Sequence, residues 1–283
     1  MSSLVPGVLD AILPDVYRVL APNPSVMTGP GTNTYLLGSK NITVLDPGPD
    51  LPEHINAIIA GIEAIGGVLE RVVVTHTHTD HSPGAATLAK RFGVPVVGSP
   101  IADDGYQDDS FSSDASLAHG ENLDVDDSKL EAIYTPGHVG NHYCFLHHKS
   151  GAVFTGDHIM QGSTVVIIPP SGDMADYVDS LQRLLRYPIR YLAPGHGSVI
   201  DEPEAEIKKL IAHRQGREDK IVNAMTSVIT ANLDELLPIA YDDVPESIYP
   251  VARLSLLAHI LKLQREGKAE EQAGKWSLCS RAI

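Results

Sequence analysis

The chain has 283 residues, with 36 acidic against 21 basic side chains and a formal net charge of −15. Its length suits one large domain, or one domain with an appendage. The negative charge repels polyanions over long range and makes strong non-specific binding to nucleic acid unfavourable. Two cysteines, Cys144 and Cys279, are too few for a disulfide framework or a cysteine-rich zinc module. Without a long apolar run or a secretory-signal pattern, we expect a soluble, cytoplasmic protein with no membrane association.

Short strands and two helices are predicted in the first hundred residues. The alternation of apolar residues and turn signals predicts strands at 16–21, 34–37, 42–45, 72–74 and 95–98. Isoleucines at helical spacing predict a helix over 52–65, and a second helix follows Pro83. Asp46 begins a turn after the third strand, and two interpretations stay open: a loop residue near a metal site, or an ordinary turn aspartate.

Four metal-ligand side chains lie within six residues, directly behind the predicted strand 72–74. They are His76, His78, Asp80 and His81. In an extended segment, His76 and His78 point to the same side and can share one ion. Asp80 and His81 are adjacent where the chain turns, so they can face a second position nearby. Imidazole and carboxylate are ligands that zinc accepts, so the segment predicts a metal site at the edge of a sheet.

The segment 101–131 is strongly acidic, with ten acidic residues against the single base Lys129. We expect an exposed and partly mobile connection. If it flanks the active site, it disfavours anionic substrates.

The same strand-and-turn pattern recurs three times further along the chain. Apolar strands lead into Thr135-Pro-Gly-His138, Thr155-Gly-Asp157-His158 and Pro194-Gly-His196. Because strand ends meet at the edge of a sheet, these turns can gather their polar side chains around the metal site. His142, His158, Ser163, Thr164 and Tyr177 have two open interpretations, as substrate contacts or as structural residues.

Beyond residue 197 the predicted strands give way to helices. One helix is predicted before this point, at 174–185, and three after it, at 207–230, 233–240 and 250–267, followed by a hairpin at 268–278. Helices followed by a hairpin suggest a winged-helix appendage. Its charge over 217–283, eight basic minus ten acidic residues, is −2. A DNA-reading module is normally basic, so a structural or interface role, including a homodimer contact, is favoured.

The motifs Thr75-His-Thr-His-Thr-Asp-His81, Thr-Pro-Gly-His138, Thr-Gly-Asp157 and Pro-Gly-His196, in this order, resemble the metallo-β-lactamase superfamily. The segments 31–38 and 169–177 and the C-terminal region resemble its β-lactamase-like protein 2 branch. The resemblance implies an α/β fold, an αββα sandwich, with a metallo-β-lactamase domain at 1–216 and a winged-helix-like region at 217–283. It also implies that His76, His78 and His138 bind one metal, that Asp80, His81 and His196 bind another, and that Asp157 bridges both.

Two metals about 3.5–4 Å apart can hold a bridging water and lower its pKa towards about 7. We therefore expect a hydrolase with two zinc ions, although iron or manganese also suits these ligands. Asp80 is the candidate for orienting the hydroxide and relaying the proton. The preferred substrate is a small-molecule ester, thioester, lactone or β-lactam. Two alternatives stay open: an endoribonuclease for single-stranded RNA, as the resemblance to the animal members of this branch implies, and a non-enzymatic winged-helix regulator.

Overall fold

The computed structural model describes residues 4–100 and 105–279, which divide into two compact units. The first unit contains the described residues up to Thr135 together with 141–164 and 187–204. The second contains 136–140, 165–186 and the described residues from Ala205 onward.

The first unit contains a six-stranded sheet in which the strands follow one another in chain order. They are β1 (Leu9–Leu13), β2 (Val16–Leu20), β3 (Asn33–Leu37), β4 (Asn41–Leu45), β5 (Val68–Val73) and β6 (Val96–Val97). The first four pair antiparallel, and β4, β5 and β6 pair parallel. The parallel connections contain α1 (Pro52–Ile65) and α2 (Gly84–Phe92), so both predicted helices of this region are confirmed.

A second, five-stranded sheet completes the first unit, in the order β11-β10-β9-β8-β7. Its strands are β7 (Asn122–Val125), β8 (Ser128–Tyr134), β9 (Tyr143–His147), β10 (Ala152–Gly156) and β11 (Tyr191–Pro194). Only the pair β10–β11 is parallel. The turns that follow β10 and β11 therefore leave the sheet at the same edge.

Two apolar cores cover the two faces of the six-stranded sheet. Tyr35 and Leu45 on one face pack with Phe145 and Phe154 of the second sheet, and the rings of Tyr35 and Phe154 lie 4.8 Å apart. On the other face, side chains such as Ile58 of α1 pack against β4 and β5. Because these strands are buried on both faces, their sequence is almost continuously apolar.

The expectation of an exposed connection over 101–131 is wrong for its second half, where β7 and the start of β8 form a hairpin. Val125 and Leu130 are buried in the core between the sheets, while Asp124 and Lys129 face solvent. An edge hairpin needs only one apolar face, so acidic residues on the other face hid the strand pattern. Asp103 and Asp104 lie outside the described residues.

Helices dominate the second unit. Its elements are α3 (Met174–Leu184), the larger part of α4 (Pro203–Val228), β12 (Thr230–Ala231), α5 (Leu233–Ala240), α6 (Tyr249–Arg265), β13 (Ala269–Gln272) and β14 (Lys275–Leu278). Leu236, Leu256 and Trp276 share one core that joins α5, α6 and the hairpin. The boundary predicted between residues 216 and 217 lies inside the continuous helix α4, and it stays a prediction.

In the described ranges, no helix combines the length and the apolarity that crossing a bilayer demands.

One carboxylate joins the β7–β8 turn to the β3–β4 turn. Asp126 accepts hydrogen bonds from the backbone N–H groups of Ser39 (2.6 Å), Lys40 (3.0 Å) and Asn41 (2.9 Å). Burial alone raises the pKa of the Asp126 carboxyl, but these hydrogen bonds outweigh burial and hold the pKa well below its usual range. The ionised carboxylate therefore ties an edge hairpin of one sheet to the other sheet.

We expect Asp126→Ala to lower the free energy of unfolding by about 1–2 kcal/mol at pH 7, because three N–H groups lose their acceptor. Asp124→Ala is the control, since this exposed residue makes one surface ion pair with Lys129 at 3.4 Å and should change stability by less than about 0.5 kcal/mol. Urea denaturation measures both. A depressed pKa means that the stabilisation is lost as pH falls, so wild type and Asp126→Ala should converge in acid. Equal stability of the two variants at pH 7 would contradict this role.

Candidate metal centre

The loop that follows β5 turns sharply at its ligand-type residues. The backbone N–H groups of His81 and Ser82 both donate to the carbonyl of His78 (3.0 and 3.2 Å). Gly48 N–H donates to the carbonyl of His81 (2.9 Å), which fixes the turn against the loop after β4. Asp80 and His81 therefore lie in a tight turn, as the sequence pattern predicts.

Four side chains from three loops converge in the first unit: Asp80, His81, Asp157 and His196. His196 Nε2 lies 3.3 Å from Asp80 Oδ2 and 3.2 Å from Asp157 Oδ1. His81 Nε2 lies 3.3 Å from Asp157 Oδ1 and 3.7 Å from Asp80 Oδ2. The four ligand atoms all lie within 4.8 Å of one another, so the group could hold a metal ion.

The Nδ1 atoms of His81 and His196 both donate hydrogen bonds to acceptors behind the cluster. His81 Nδ1 donates to Asp46 Oδ2 (3.0 Å), and His196 Nδ1 donates to the carbonyl oxygen of Gly31 (3.1 Å). Each Nδ1 therefore carries a hydrogen, and Nε2 is the atom aimed at the carboxylates. This arrangement orients histidine ligands in metal sites, and two imidazoles with two carboxylates suit zinc, iron or manganese. The residues present fit a metal ion.

Asp46, whose role the sequence left open, lies directly behind these histidines. Its buried carboxylate accepts hydrogen bonds from Thr75 N–H (2.7 Å), Thr75 Oγ1 (2.8 Å) and His81 Nδ1 (3.0 Å). The Thr75 hydroxyl in turn accepts from His76 Nδ1 (3.0 Å), which places the lone pair of His76 on Nε2. Asp46 therefore orients His81 directly and His76 through Thr75.

His76 and His78 lie side by side, with His76 Nε2 3.0 Å from His78 Nδ1. Two residues apart in an extended segment, they point to the same side, as their spacing indicates. His138 lies in the segment 136–140 of the second unit. Its Nδ1 donates to the carbonyl of Val166 (2.7 Å), which places its lone pair on Nε2.

Charges inside the cluster compensate one another. Burial lowers the pKa of His196, but Asp157 and Asp80 outweigh it and raise the pKa to about 10. Burial likewise opposes the charged form of His81, yet Asp80 and Asp157 raise the pKa of His81 well above its ordinary value. Burial and the neighbouring histidines His81 and His78 lower the pKa of His76, so it is neutral. In the metal-free centre, the protons on His81 and His196 therefore supply the positive charge that a bound divalent cation would otherwise supply.

His142, a candidate for substrate contact, supports the Asp157 loop. Its Nε2 accepts a hydrogen bond from the backbone N–H of Asp157 (3.2 Å), and its Nδ1 lies 3.0 Å from Thr135 Oγ1. Its ring also packs beside that of His76, with centroids 5.1 Å apart. Sequence patterns could not decide between the two interpretations, because both pairings depend on how the consecutive strands β8, β9 and β10 pair in the folded sheet.

Two family models match the chain. Residues 27–196 match the Metallo-beta-lactamase superfamily, and residues 233–276 match the Beta-lactamase associated winged helix domain. The first match spans more than half of the chain, which therefore belongs to the metallo-β-lactamase superfamily of metal-dependent hydrolases. It carries a winged-helix domain of the associated type, so both parts of the predicted resemblance are confirmed.

Curated relatives agree with this assignment. The chain is 30% identical to the Beta-lactamase-like protein 2 homolog of Drosophila melanogaster, covering 94% of this chain and 93% of that protein. It is 29% identical to the Beta-lactamase-like protein 2 homolog of Caenorhabditis elegans, with 92% and 89% covered. Identity to the Lactamase-like protein nscB of Trichophyton rubrum is 34%, over 75% of this chain and 63% of the relative.

Solved structures confirm the predicted fold class. A Beta-lactamase domain protein from Burkholderia ambifaria superposes with a TM-score of 0.79 at 18% identity, covering 97% of both chains. The metallo-beta-lactamase family protein TTHA1429 from Thermus thermophilus has a TM-score of 0.75 at 21% identity, with 95% of this chain and 100% of that chain covered. TTHA1623, solved in a di-iron-bound form, is 27% identical with a TM-score of 0.53, over 63% of this chain and 94% of that chain.

We expect Asp46→Asn to weaken metal binding by about 10–100-fold, the usual effect of losing a group that orients a ligand. Both carboxylate oxygens accept hydrogen bonds from Thr75 or His81, so an amide must turn its NH2 group towards a donor. Asp50→Asn is the matched control, because Asp50 is exposed and accepts one bond from Thr87 Oγ1 (3.0 Å). Competition with a chromophoric chelator measures the affinities. Equal affinities for the two variants would contradict the role of Asp46.

Metal binding should also release protons. Because the pKa values of His81 and His196 are raised in the metal-free centre, both are protonated at pH 7 and an incoming ion must displace those protons. Metal affinity should therefore rise with pH between 6 and 8. Calorimetry in buffers of different ionisation enthalpy measures the released protons, and a binding heat that is independent of the buffer would contradict the expectation.

Proposed function

We propose that the protein is a dinuclear-metal hydrolase, with zinc as the expected metal, that cleaves an ester, thioester, lactone or β-lactam type small-molecule substrate. The observation that carries the proposal is the convergence of Asp80, His81, Asp157 and His196. The Nδ1 atoms of both histidines donate hydrogen bonds, so their Nε2 atoms face the carboxylates. Membership of a superfamily of metal-dependent hydrolases supports the same chemistry. Such a ligand group also argues against a purely regulatory winged-helix protein.

Seven residues would hold the two ions. In this proposal His76, His78 and His138 bind the first ion, Asp80, His81 and His196 bind the second, and Asp157 is shared. The adjacency of His76 and His78 supports the first position, and so does the lone pair of His138 on Nε2. The di-iron form of the similar protein TTHA1623 shows two ions in that protein. Histidine and carboxylate ligands suit zinc, iron and manganese alike, so zinc is part of the proposal.

When bound, the ions supply Lewis acidity and lower the pKa of a coordinated water towards about 7. The protein's own contribution to proton transfer is assigned to Asp80. Its side chain is 27% exposed, whereas that of Asp157 is 13% exposed and that of His81 is fully buried. Burial raises the pKa of Asp80, but His81 and His196 outweigh it and keep the carboxylate ionised. An ionised and accessible carboxylate can accept a proton from the attacking water and pass it to the leaving group.

Part of the acidic segment lies against the metal loop, which bears on the substrate class. Asp108 Oδ2 accepts a hydrogen bond from Ser82 Oγ (2.8 Å), and Asp108 N–H donates to the carbonyl of Thr77 (2.7 Å). The backbone of Gln107 bridges to that of His78, and the neighbouring Asp109 is exposed. Negative charge beside the ligands disfavours polyanions and favours neutral or cationic small molecules.

The endoribonuclease alternative needs a basic track for the RNA backbone. The basic side chains of the C-terminal region that could form such a track are Lys262, Arg265, Lys268 and Lys275. The first three are paired with acids inside the second unit. Lys262 Nζ lies 2.8 Å from Glu218, Arg265 lies 3.1 Å from Asp173, and Lys268 lies 2.6 Å from Glu266. These pairs reduce the positive charge that RNA would meet, so the small-molecule reaction is the better-supported proposal.

Elemental analysis combined with a substrate panel tests the proposal. We expect about two metal ions per chain and hydrolysis of one class among a chromogenic thioester, lactone, ester and β-lactam. Asp80→Ala should reduce turnover by at least about 100-fold, because it removes the proton-accepting group. Prior chelation of the metal should abolish turnover in the wild-type chain, and restoring zinc should recover it.

The matched control is Asp109→Ala, which removes a nearby exposed charge and should retain wild-type turnover. A chain that binds no metal at physiological concentration would contradict the central proposal. Cleavage of single-stranded RNA alone, lost in Asp80→Ala, would replace the small-molecule proposal by the ribonuclease alternative.

A further inference from the structure

The motif Gly31-Thr-Asn-Thr-Tyr-Leu-Leu-Gly38 contributes no proposed ligand, yet two of its side chains bind the turn that carries His196. Asn33 Nδ2 donates to the carbonyl oxygens of Pro194 (2.9 Å) and Gly197 (2.8 Å). Tyr35 Oη donates to the carbonyl oxygen of Pro194 (2.7 Å). Both side chains come from β3, whereas the turn directly follows β11 in the other sheet.

Two further hydrogen bonds join β3 and its preceding loop to the same turn. Together with the side-chain bonds of Asn33 and Tyr35, they form what we call the clamp. Asn33 N–H donates to the carbonyl oxygen of Gly195 (2.7 Å), and His196 Nδ1 donates to that of Gly31 (3.1 Å). Of the four carbonyl groups at 194–197, those of Pro194, Gly195 and Gly197 are thus bonded by Asn33 or Tyr35. Asn33 and Tyr35 are 0% and 2% exposed, so water does not compete for these bonds.

The turn has little room to move. A Cβ atom added at Gly195 would lie 2.7 Å from His81 Cε1 and 2.9 Å from Asp157 Oδ1, so only glycine fits there. A shift of the turn by even half an ångström would change the distances from His196 to Asp80 and Asp157. Ligand groups must be held within about 0.5 Å of their working geometry. The clamp therefore acts on a turn whose position determines whether His196 keeps that geometry.

We propose that Asn33 and Tyr35 are positioning residues that hold His196 in its ligand geometry, and that their loss weakens one metal position selectively. The inference rests on the proposed function, because it takes His196 as a metal ligand. It assigns a role to a motif that contributes no proposed metal ligand. Alternation along β3 explains why residues 33 and 35 act together, since both point towards the second sheet.

Tyr35→Phe tests the proposal, because it removes one hydroxyl and keeps the ring that packs on Phe154. Zinc affinities of both positions are measured by titration against a chromophoric chelator. We expect the dissociation constant of one position to rise about 10-fold, with the other changed by less than about 2-fold. His196→Ala identifies the affected position, since the binding event weakened in Tyr35→Phe should be the one that His196→Ala abolishes.

Tyr143→Phe is a matched control. Tyr143 is also a buried tyrosine of the first unit, and its Oη donates to the carbonyl oxygen of Leu117 at 2.8 Å. The two variants lose equivalent hydrogen bonds, so a general loss of stability would affect both. Zinc affinity should remain at the wild-type value in Tyr143→Phe.

Three outcomes would overturn the proposal or its basis. Unchanged zinc affinity in Tyr35→Phe, with two ions still bound by wild type, overturns the clamp and leaves the proposed function standing. Equal weakening of both positions, or equal effects in Tyr35→Phe and Tyr143→Phe, assigns Tyr35 a purely structural role. A wild-type chain that binds no zinc contradicts the proposed function itself.

Discussion

A carboxylate that is 2% exposed must find strong hydrogen-bond donors, and Asp46 finds all of its donors on the metal loop. Asp46 also adopts a φ of +50°, a left-handed conformation that aspartate tolerates better than most residues. The Thr34 hydroxyl donates to the backbone carbonyl oxygen of Asp46 (2.7 Å) and lies 2.8 Å from His54 Nε2. Because the Asp46 carboxylate accepts from both His81 and Thr75, removing its charge would weaken the hydrogen bonds that position these two residues.

The strand β3 supports the centre from both of its faces. Thr34 points towards the helical side of the sheet and holds Asp46, while Asn33 and Tyr35 point towards the second sheet and hold the His196 turn. Successive side chains of a strand point to opposite faces of the sheet, so Thr34 faces one side while Asn33 and Tyr35 face the other. One short segment can thus position ligands that come from loops more than a hundred residues apart.

Local pattern was sufficient to predict α1 and the ligand-rich loop after β5, because periodicity and ligand spacing are properties of neighbouring residues. The recurrence of strand, turn and polar side chain also predicted that Asp157 and His196 approach Asp80, which the distances confirm. Side-chain contacts between different strands were beyond such reasoning. The roles of Asp46 and His142, and the clamp from β3, depend on which strands become neighbours. The expectation of an exposed connection was wrong at 122–131, because the many acidic residues there obscured the apolar face of a half-buried hairpin.

The negative charge of the chain has different consequences in the two units. In the second unit, acids pair with bases such as Lys262 and Arg265, which reduces the positive charge that a phosphate backbone would meet. In the first unit, Asp108 and its neighbour Asp109 place negative charge beside the metal loop, and this charge repels an anionic ligand. Under the proposed function, both features therefore disfavour a polyanionic substrate.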